Sequence, residues 1–539
     1  MMQKVELIIK EAKRLADTIT SFPGDIRIIS HYDCDGICAA SILIKALQRE
    51  AKSFHVSFVK KLNDKKLEEL ASDSSNLLIF TDLGSGKLEG IQDRILENER
   101  KRAIIIDHHQ MQGIITNNNK ERLLHLNPLQ FGIEENISGS GVSYLVARAM
   151  NPVNRDMSEL AIIGAIGDSQ IGSIGPDWGL IGLNKEILKD AEHTKKIRVE
   201  KGLRLWGRYT RPVHKAIQYS MDPYIPGISG SESASVQFLN DIGVPVKAGD
   251  EWRTLSDLSE EETQKLADAI IKERVMKGEE NPEWVFGDVY ELLEKEGGFR
   301  DANEFATILN ACGKLEKEYL AISLCFNVFE VGDEVKGALK AYRREIGKSI
   351  GLFEKNKEII DEKENATYVL AEDLISEDII SNVISMVSRS GMITEHKPVF
   401  AFVNTDDGEV KISARLVDTE VSYGLNDVLS QAATELGGEG GGHKFAAGAT
   451  IPKGSEQMFI NRMEEILKNF NGHAEDIKTE VNNNDAQSHN DESLNNNPTD
   501  FKAEVSIGGT KSGLKKEEDG VSGSRKKMEG KGLVRYFDT

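Results

Sequence analysis

The chain has 539 residues, of which 39% are hydrophobic and 29% charged, and carries a formal net charge of −21. That length predicts two or three cores rather than one, and the composition is that of a globular protein, with no run approaching the roughly 20 apolar residues of a membrane span. The acidity excludes indiscriminate coating of nucleic acid, because affinity for polyphosphate needs Lys and Arg to neutralise phosphates.

At the N-terminus, "MMQKVELIIKEAKRLADTI" reads as an amphipathic helix in which Glu6 and Glu11 interrupt any secretory apolar segment, so a cytoplasmic chain is expected. Cys34, Cys38, Cys312 and Cys325 include no C-x-x-C pair and are too sparse for a disulfide framework. They are expected as small buried side chains. From Ile26 to about Asp168 the apolar runs "IRIIS", "FHVSFVK", "NLLIFTD" and "RAIIIDHH" alternate with helical segments. Continuous Ile/Leu/Val runs of this kind predict a parallel sheet covered on both faces, an α/β domain over 1–190. The charge-rich region 191–330 reads as a mainly helical insert, with a capping Ser or Asp opening "SDLSEEETQKLADAIIKERVMKG". Strands return in "AISLCFNVFE", "KPVFAFVNT" and "EVKISARLV" and alternate with helices, predicting a second, smaller α/β domain over 331–470. Residues 471–525 are too polar to repay the entropy of folding and read as a disordered linker. The final stretch, 526–539, places Leu533, Tyr536 and Phe537 on that tether, the form of a short docking motif or of an ordinary terminus.

In an open parallel sheet the residues just beyond the strands converge in one crevice. Here those residues are His31, Asp33 and Asp35 after "IRIIS", Asp82 after "LLIFT", and Asp107, His108 and His109 after "RAIII", joined by Asp168 at the end of the helix-like "LAIIGAIGD". Five carboxylates and three imidazoles within reach of one another require cations, since crowded carboxylates otherwise take up protons. Hard oxygen donors mixed with imidazole suit Mn²⁺ or Mg²⁺, and one shared aspartate can bridge two ions about 3.5–4 Å apart. Any one of these aspartates alone, Asp35 above all, could equally be a helix cap.

The ordered motifs "HYDCDG", "TDLG", "DHH" and "IGD" resemble those of the DHH phosphoesterase superfamily, and "GGEGGGHKFAAGATIP" at 437–452 resembles the signature of its DHHA1 domain. Over Ile26 to Phe470 the chain looks most like RecJ-type single-strand nucleases, in particular an archaeal branch associated with the replicative GINS complex. The resemblance implies that His31 and Asp33 hold one metal, Asp35, His108 and Asp168 the other, and that Asp82 bridges them. It implies further that Asp107 orients a histidine and that His109 faces the scissile phosphate, with a metal-bound water as nucleophile. The glycines Gly440, Gly441 and Gly442 let backbone N–H groups approach an anion, with His443 and Lys444 beside them, against the alternative of a flexible loop. Arg415 shares a strand face with Ser413; the resemblance suggests a nucleic-acid contact, and a solvated strand charge is the plainer reading.

The segment Thr194–Lys215 gathers Lys195, Lys196, Arg198, Lys201, Arg204, Arg208, Arg211 and Lys215 around Trp206 and Tyr209. Cations interleaved with aromatics suit a single strand, while a helix with one solvated cationic face is the alternative. The resemblance makes the insert a docking surface for GINS-type factors, and the tail matches the spacing of sliding-clamp-binding peptides, with Gly530 where Gln is usual. No OB-type domain follows the DHHA1-like region, which leaves strand polarity and DNA or RNA preference open. The expected function is a Mn²⁺- or Mg²⁺-dependent exonuclease on single-stranded DNA or RNA in replication or repair. Within the superfamily the alternatives are a hydrolase of oligoribonucleotides, bisphosphonucleosides or pyrophosphate, and a replisome scaffold; every metal position being filled weighs against the last.

Overall fold

The computed structural model describes residues 2–470 apart from 134–136, 173–178, 221–222, 280, 389–392, 394–396, 406, 417–422 and 443. The expected linker 471–525 and the docking motif with Leu533, Tyr536 and Phe537 therefore lie outside the described residues. Two compact units are present, the first up to Glu345 and the second from Ile346.

The first unit opens with the expected amphipathic helix α1 (Met2–Ser21), followed by β1 (Ile26–His31), α2 (Cys34–Arg49), β2 (Phe54–Val59), α3 (Asp64–Ala71), β3 (Leu77–Thr81), β4 (Arg102–Ile106) and β5 (Leu123–Leu126). The five strands form one parallel sheet in the order β2-β1-β3-β4-β5. Because successive side chains on a strand point to opposite faces, each strand feeds two cores. Leu77 and Ile79 of β3 join α1, α2 and the later helices on one face, while Leu78 and Phe80 join Leu67 and Leu70 of α3 on the other. All of β3 is buried. The chain leaves β1 toward β2 on one side and returns to β3 on the other, so the strand order reverses between β1 and β3 and opens a crevice beyond their carboxyl ends.

Helices α4 (Gly139–Met150), α5 (Ser158–Gly167) and α6 (Gly182–His193) close the first face. The following region holds β6 (Ile197–Leu203), α7 (Val213–Gln218), α8 (Glu232–Asp241), α9 (Glu260–Met276) and β7 (Phe286–Leu292), with β6 and β7 antiparallel. It has its own small core of Leu203, Val213, Ile217, Leu239, Leu266 and Ile270. Ser259 and Glu262 cap α9 reciprocally. Helices α10 (Ala302–Lys314), α11 (Glu318–Cys325) and α12 (Gly332–Lys355) follow. "AISLCFNVFE" is thus not the strand its composition suggests. Leu320, Ala321, Leu324 and Cys325 are the buried positions of α11, a helical spacing of apolar contacts that tertiary packing enforces over a short ambiguous run. All four cysteines are free and buried, as expected. Among the described residues no helix is long and apolar enough to cross a membrane.

The second unit is a mixed six-stranded sheet. Its strands are β8 (Ile360–Glu362), β9 (Thr367–Glu372), β10 (Val399–Asn404), β11 (Glu409–Arg415), β12 (Glu439–Gly442) and β13 (Ala446–Pro452), in the order β8-β9-β10-β11-β13-β12. Only the β9–β10 pairing is parallel. Helices α13 (Ile380–Val387), α14 (Leu425–Glu435) and one over 456–470 pack against it. The chain is therefore α/β in both units.

In the first unit Glu304, at the start of α10, accepts hydrogen bonds from the amides of Gly207 (2.8 Å) and Arg208 (3.0 Å). Burial, with the nearby Asp301, raises its carboxyl to about 7. Such a group is protonated more readily folded than unfolded, so its contribution is full below pH about 4.5, falls as pH rises toward 7, and is then constant. The window is worth about 3 kcal/mol at most. All four tryptophans, Trp178, Trp206, Trp252 and Trp284, precede residue 345. Urea unfolding followed by their fluorescence should show Glu304→Gln losing that decline between pH 4.5 and 7, and an identical pH slope in both proteins would contradict it.

Candidate metal centre

The turn from β1 into α2 is built around Gly36, where a Cβ would lie 2.2 Å from the His31 carbonyl oxygen. The helix cap is Asp33, whose carboxylate accepts from the Gly36 amide at 3.0 Å. Asp35, the residue for which capping was the alternative, sits inside the first turn and does something else. Its Oδ2 and Oδ1 accept the amides of Gly139 (2.6 Å) and Ser140 (3.0 Å) at the N-terminus of α4, where the helix dipole favours a negative charge. Asp82 follows β3 in a left-handed backbone conformation, φ +59°, a strain of order 1 kcal/mol for a side chain of this kind, and its amide is held by the Ile106 carbonyl at 2.9 Å. That conformation returns its buried carboxylate over the crevice.

Two donor sets result. His31, Asp33 and Asp82 place one ligand atom each within 4.8 Å of one another, and so do Asp35, His108 and Asp168. Asp82 lies between them, Oδ2 3.7 Å from His31 Nδ1 and Oδ1 3.3 Å from His108 Nε2. A third set joins Asp82, His108 and His109. Asp107 belongs to none of these sets. It is fully buried and accepts the His109 ring Nδ1 (2.8 Å), the His108 amide (2.8 Å) and the Ser85 amide (2.9 Å). His109 is half exposed, with Nδ1 committed to Asp107.

The electrostatics follow from burial and crowding. Burial, then the charges of Asp82 and Asp168, pushes Asp35 well above the carboxylate range. Burial lifts Asp168 to about 6 against the pull of His108. Asp82 and Asp107 go the other way: burial opposes their ionisation, but the surrounding histidines hold both well below the usual range. Burial likewise opposes charge on the imidazoles, and the carboxylates overcome it, with His31 well above its ordinary value, His108 at about 10 and His109 at about 9. Protons thus gather where positive charge is needed. Asp82 Oδ1, His31 Nδ1 and His108 Nε2 are buried without a hydrogen-bond partner, and oxygen donors mixed with imidazole nitrogen fit Mn²⁺ or Mg²⁺.

Other contributors had no distinctive mark in the sequence. Gln170 donates to Asp168 Oδ2 (2.8 Å), lies 3.2 Å from His108 Nδ1 and receives Asn184 (2.8 Å) on its own oxygen. Asn310 of α10 accepts the Cys34 amide at 2.8 Å and so braces the loop carrying Asp33. Asn127 donates to the His109 carbonyl and to Ser85 Oγ, both at 2.9 Å. Of the remaining expected residues, Gly440, Gly441 and Gly442 form β12, the edge strand of the second unit, and His443 lies outside the described residues. Arg415 is tied within its own unit, donating to Ser385 Oγ (2.6 Å), Ser381 O (3.1 Å) and Ala414 O (2.8 Å). The basic segment 194–215 is centred on strand β6 and not on a cationic helix. Lys196, Arg198, Lys201, Arg208 and Lys215 each close on a carboxylate, contributed by Glu294, Glu291, Asp288, Glu200 and Glu232 respectively.

Gly164 of α5 leaves the room that Asp35 occupies: a Cβ there would lie 2.4 Å from Asp35 Oδ1 and 2.0 Å from Ser140 Oγ. Gly164→Ala should weaken Mn²⁺ binding about 10–100-fold, although alanine alone favours a helix. Gly337→Ala in α12, where nothing lies within 4 Å, serves as control. Calorimetric titration with Mn²⁺ decides, and equal affinities in the two variants would contradict the expectation.

Three family models match the chain: the N-terminal domain of the DHH family over residues 25–165, the DHH-CID domain over 205–283 and the DHHA1 domain over 365–470. An uncharacterized protein of Methanocaldococcus jannaschii is 32% identical over 475 residues, covering 87% of this chain and 99% of its own. Among solved structures, RecJ of Thermus thermophilus in complex with Mn²⁺ is 18% identical with a TM-score of 0.52, over 86% of this chain and 55% of that one. This chain therefore spans about half of the Thermus protein. A further exonuclease RecJ bound to manganese is 17% identical with a TM-score of 0.50, over 86% of this chain and 94% of that one. CDC45 of Entamoeba histolytica is 11% identical with a TM-score of 0.52, over 82% and 95% respectively. At these identities the structural likeness concerns the fold. The matched models, in that order along a chain whose buried aspartates and histidines form adjoining donor sets, place it in the DHH family of metal-dependent phosphoesterases as a RecJ-like member.

Proposed function

We propose that the protein is a two-metal exonuclease that removes nucleotides from one end of single-stranded DNA or RNA. The observation that carries this reading is the position of Asp82, one buried carboxylate set between His31 and His108 and so between two donor sets. His31 and Asp33 would hold one ion, Asp35, His108 and Asp168 the other, and Asp82 would bridge them. Bound Mn²⁺ or Mg²⁺ would lower the pKa of a water and offset the charge of the scissile phosphate. The protein's own groups do the rest. Asp107 fixes the His109 ring through Nδ1, leaving Nε2 to donate to a phosphate oxygen. Asp35 is kept from turning by two backbone amides. In the second unit the edge-strand backbone of Gly440–Gly442, exposed at Gly441 and Gly442, would with Lys444 hold a terminal phosphate.

The fold likeness to an exonuclease RecJ bound to manganese supports a polymer substrate, and so does the size of the region over 191–330, which a small substrate would not need. The likeness to CDC45 supports a second reading as a scaffold, with the GINS-type and clamp partners expected from the sequence. The complete set of donors favours catalysis.

Single-stranded DNA and RNA oligonucleotides labelled at either end, incubated with Mn²⁺, Mg²⁺ or EDTA, provide the test. Mononucleotide release should stop in EDTA and fall at least about 1000-fold in Asp82→Ala, and the label reports polarity. Intact long strands with cleaved dinucleotides or bisphosphonucleosides would select the small-substrate hydrolase, and inertness toward all of them the scaffold.

A further inference from the structure

Once the ion pairs of the basic segment are drawn, Lys195 and Arg211 are left without one among the described residues, and Arg211 is the one set against an aromatic ring. Among the described residues it closes on no carboxylate, and its guanidinium lies over the Tyr219 ring, 5.2 Å from the centroid. Close enough to repel it is a second guanidinium, Arg343 of α12, which is exposed and likewise closes on no carboxylate among the described residues. Glu304 contributes an opposite charge but forms no ion pair with Arg211 among the described residues, and its Oε1 accepts the amides of Gly207 and Arg208. Two like charges held near one another, in a chain of net charge −21 with carboxylates to spare, describe a site shaped for an anion from outside. The Tyr219 ring, 52% accessible, also carries Lys215 Nζ 5.9 Å from its centroid, and the rest of its exposed surface is open to a base.

The position is set by α10. At one end Glu304 holds the 207–208 turn, and at the other Asn310 holds the Cys34 amide beside the metal centre. At about 1.5 Å per residue, six residues of helix put these two anchors about 9 Å apart. We propose that Arg211 and Arg343, with Tyr219, form a cradle for a backbone phosphate and a base of single-stranded nucleic acid, a few nucleotides along the strand from the metal centre. This rests on the nuclease reading for the strand's reacting end, and it adds a length dependence that the metal centre alone does not provide. Phosphate–guanidinium contact with a base on an aromatic ring is the chemistry of sequence-tolerant single-strand binding.

The test uses the full chain and two probes, an oligothymidylate of about 12 nucleotides and the dinucleotide pTpT. Binding of the labelled oligomer in EDTA is read by anisotropy across a salt series, and turnover of both probes is read with Mn²⁺. Arg211→Gln and Arg343→Gln should each weaken oligomer binding about tenfold and reduce the salt slope by about 0.7. Each should raise KM for the oligomer with kcat unchanged, and leave pTpT as in the native protein. Arg343 is exposed, so its substitution keeps the fold intact if that of Arg211 does not. Unchanged oligomer binding and salt slope, or an equal loss on pTpT, overturns the cradle. Oligomer binding that depends on both arginines in a protein that cleaves neither probe supports the cradle while the nuclease reading fails; cleavage with unaltered KM in both variants does the reverse.

Discussion

Carboxylates taken out of water repel one another unless positive charge stands between them, and five of them converge beyond the strands of the first unit. Much of the surrounding structure offsets that repulsion. The N-terminus of α4 is aimed at Asp35, Asp107 is surrounded by three amides and a ring nitrogen, and three imidazoles are drawn toward the positive form. What is left over, buried ligand atoms on Asp82, His31 and His108 with no hydrogen bond of their own, is the capacity a divalent cation satisfies. The sheet exists to bring these groups together: only where strand order reverses do residues after β1, β3 and β4 meet in one crevice.

The candidate metal centre is legible in the sequence because burial on both faces turns β1, β3 and β4 into unbroken apolar runs, and each run is followed at once by an acid or a histidine. The roles of neighbouring aspartates are less so. Asp33 and Asp35 are two residues apart, and which of them caps α2 depends on a backbone turn, not on composition. Gln170 and Asn310 carry side-chain amides that could serve anywhere on a surface, and only the packing of α5, α6 and α10 brings them to the centre. The charged segment 194–215 is the least readable. Its acidic partners Asp288, Glu291 and Glu294 lie some ninety residues later, on and just after the strand that pairs with β6, so a run of apparent free cations is mostly a strand face neutralised from a distance.

The same principle separates α11 from the strand expected there. Over eight residues, alternation and helical spacing are hard to tell apart, and the choice falls to whichever surface the chain is packed against. The glycine-rich run in the second unit shows the converse. Without side chains to bury it can be no central strand, and it occupies the sheet edge, exposed at Gly441 and Gly442.

Helix α10 acts as a strut, one end gripping the 207–208 turn through Glu304 and the other the metal-centre loop through Asn310. At 3.6 residues per turn, a single residue inserted between these two contacts would swing one of them about 100° around the axis and break it. The loops of the region over 191–300 can lengthen or shorten at little cost, but the spacing from Glu304 to Asn310 has no such freedom. The parallel-sheet domain cut free of α10 would lose the brace on the loop that carries Asp33, so a boundary drawn between them divides the sequence without dividing the machine.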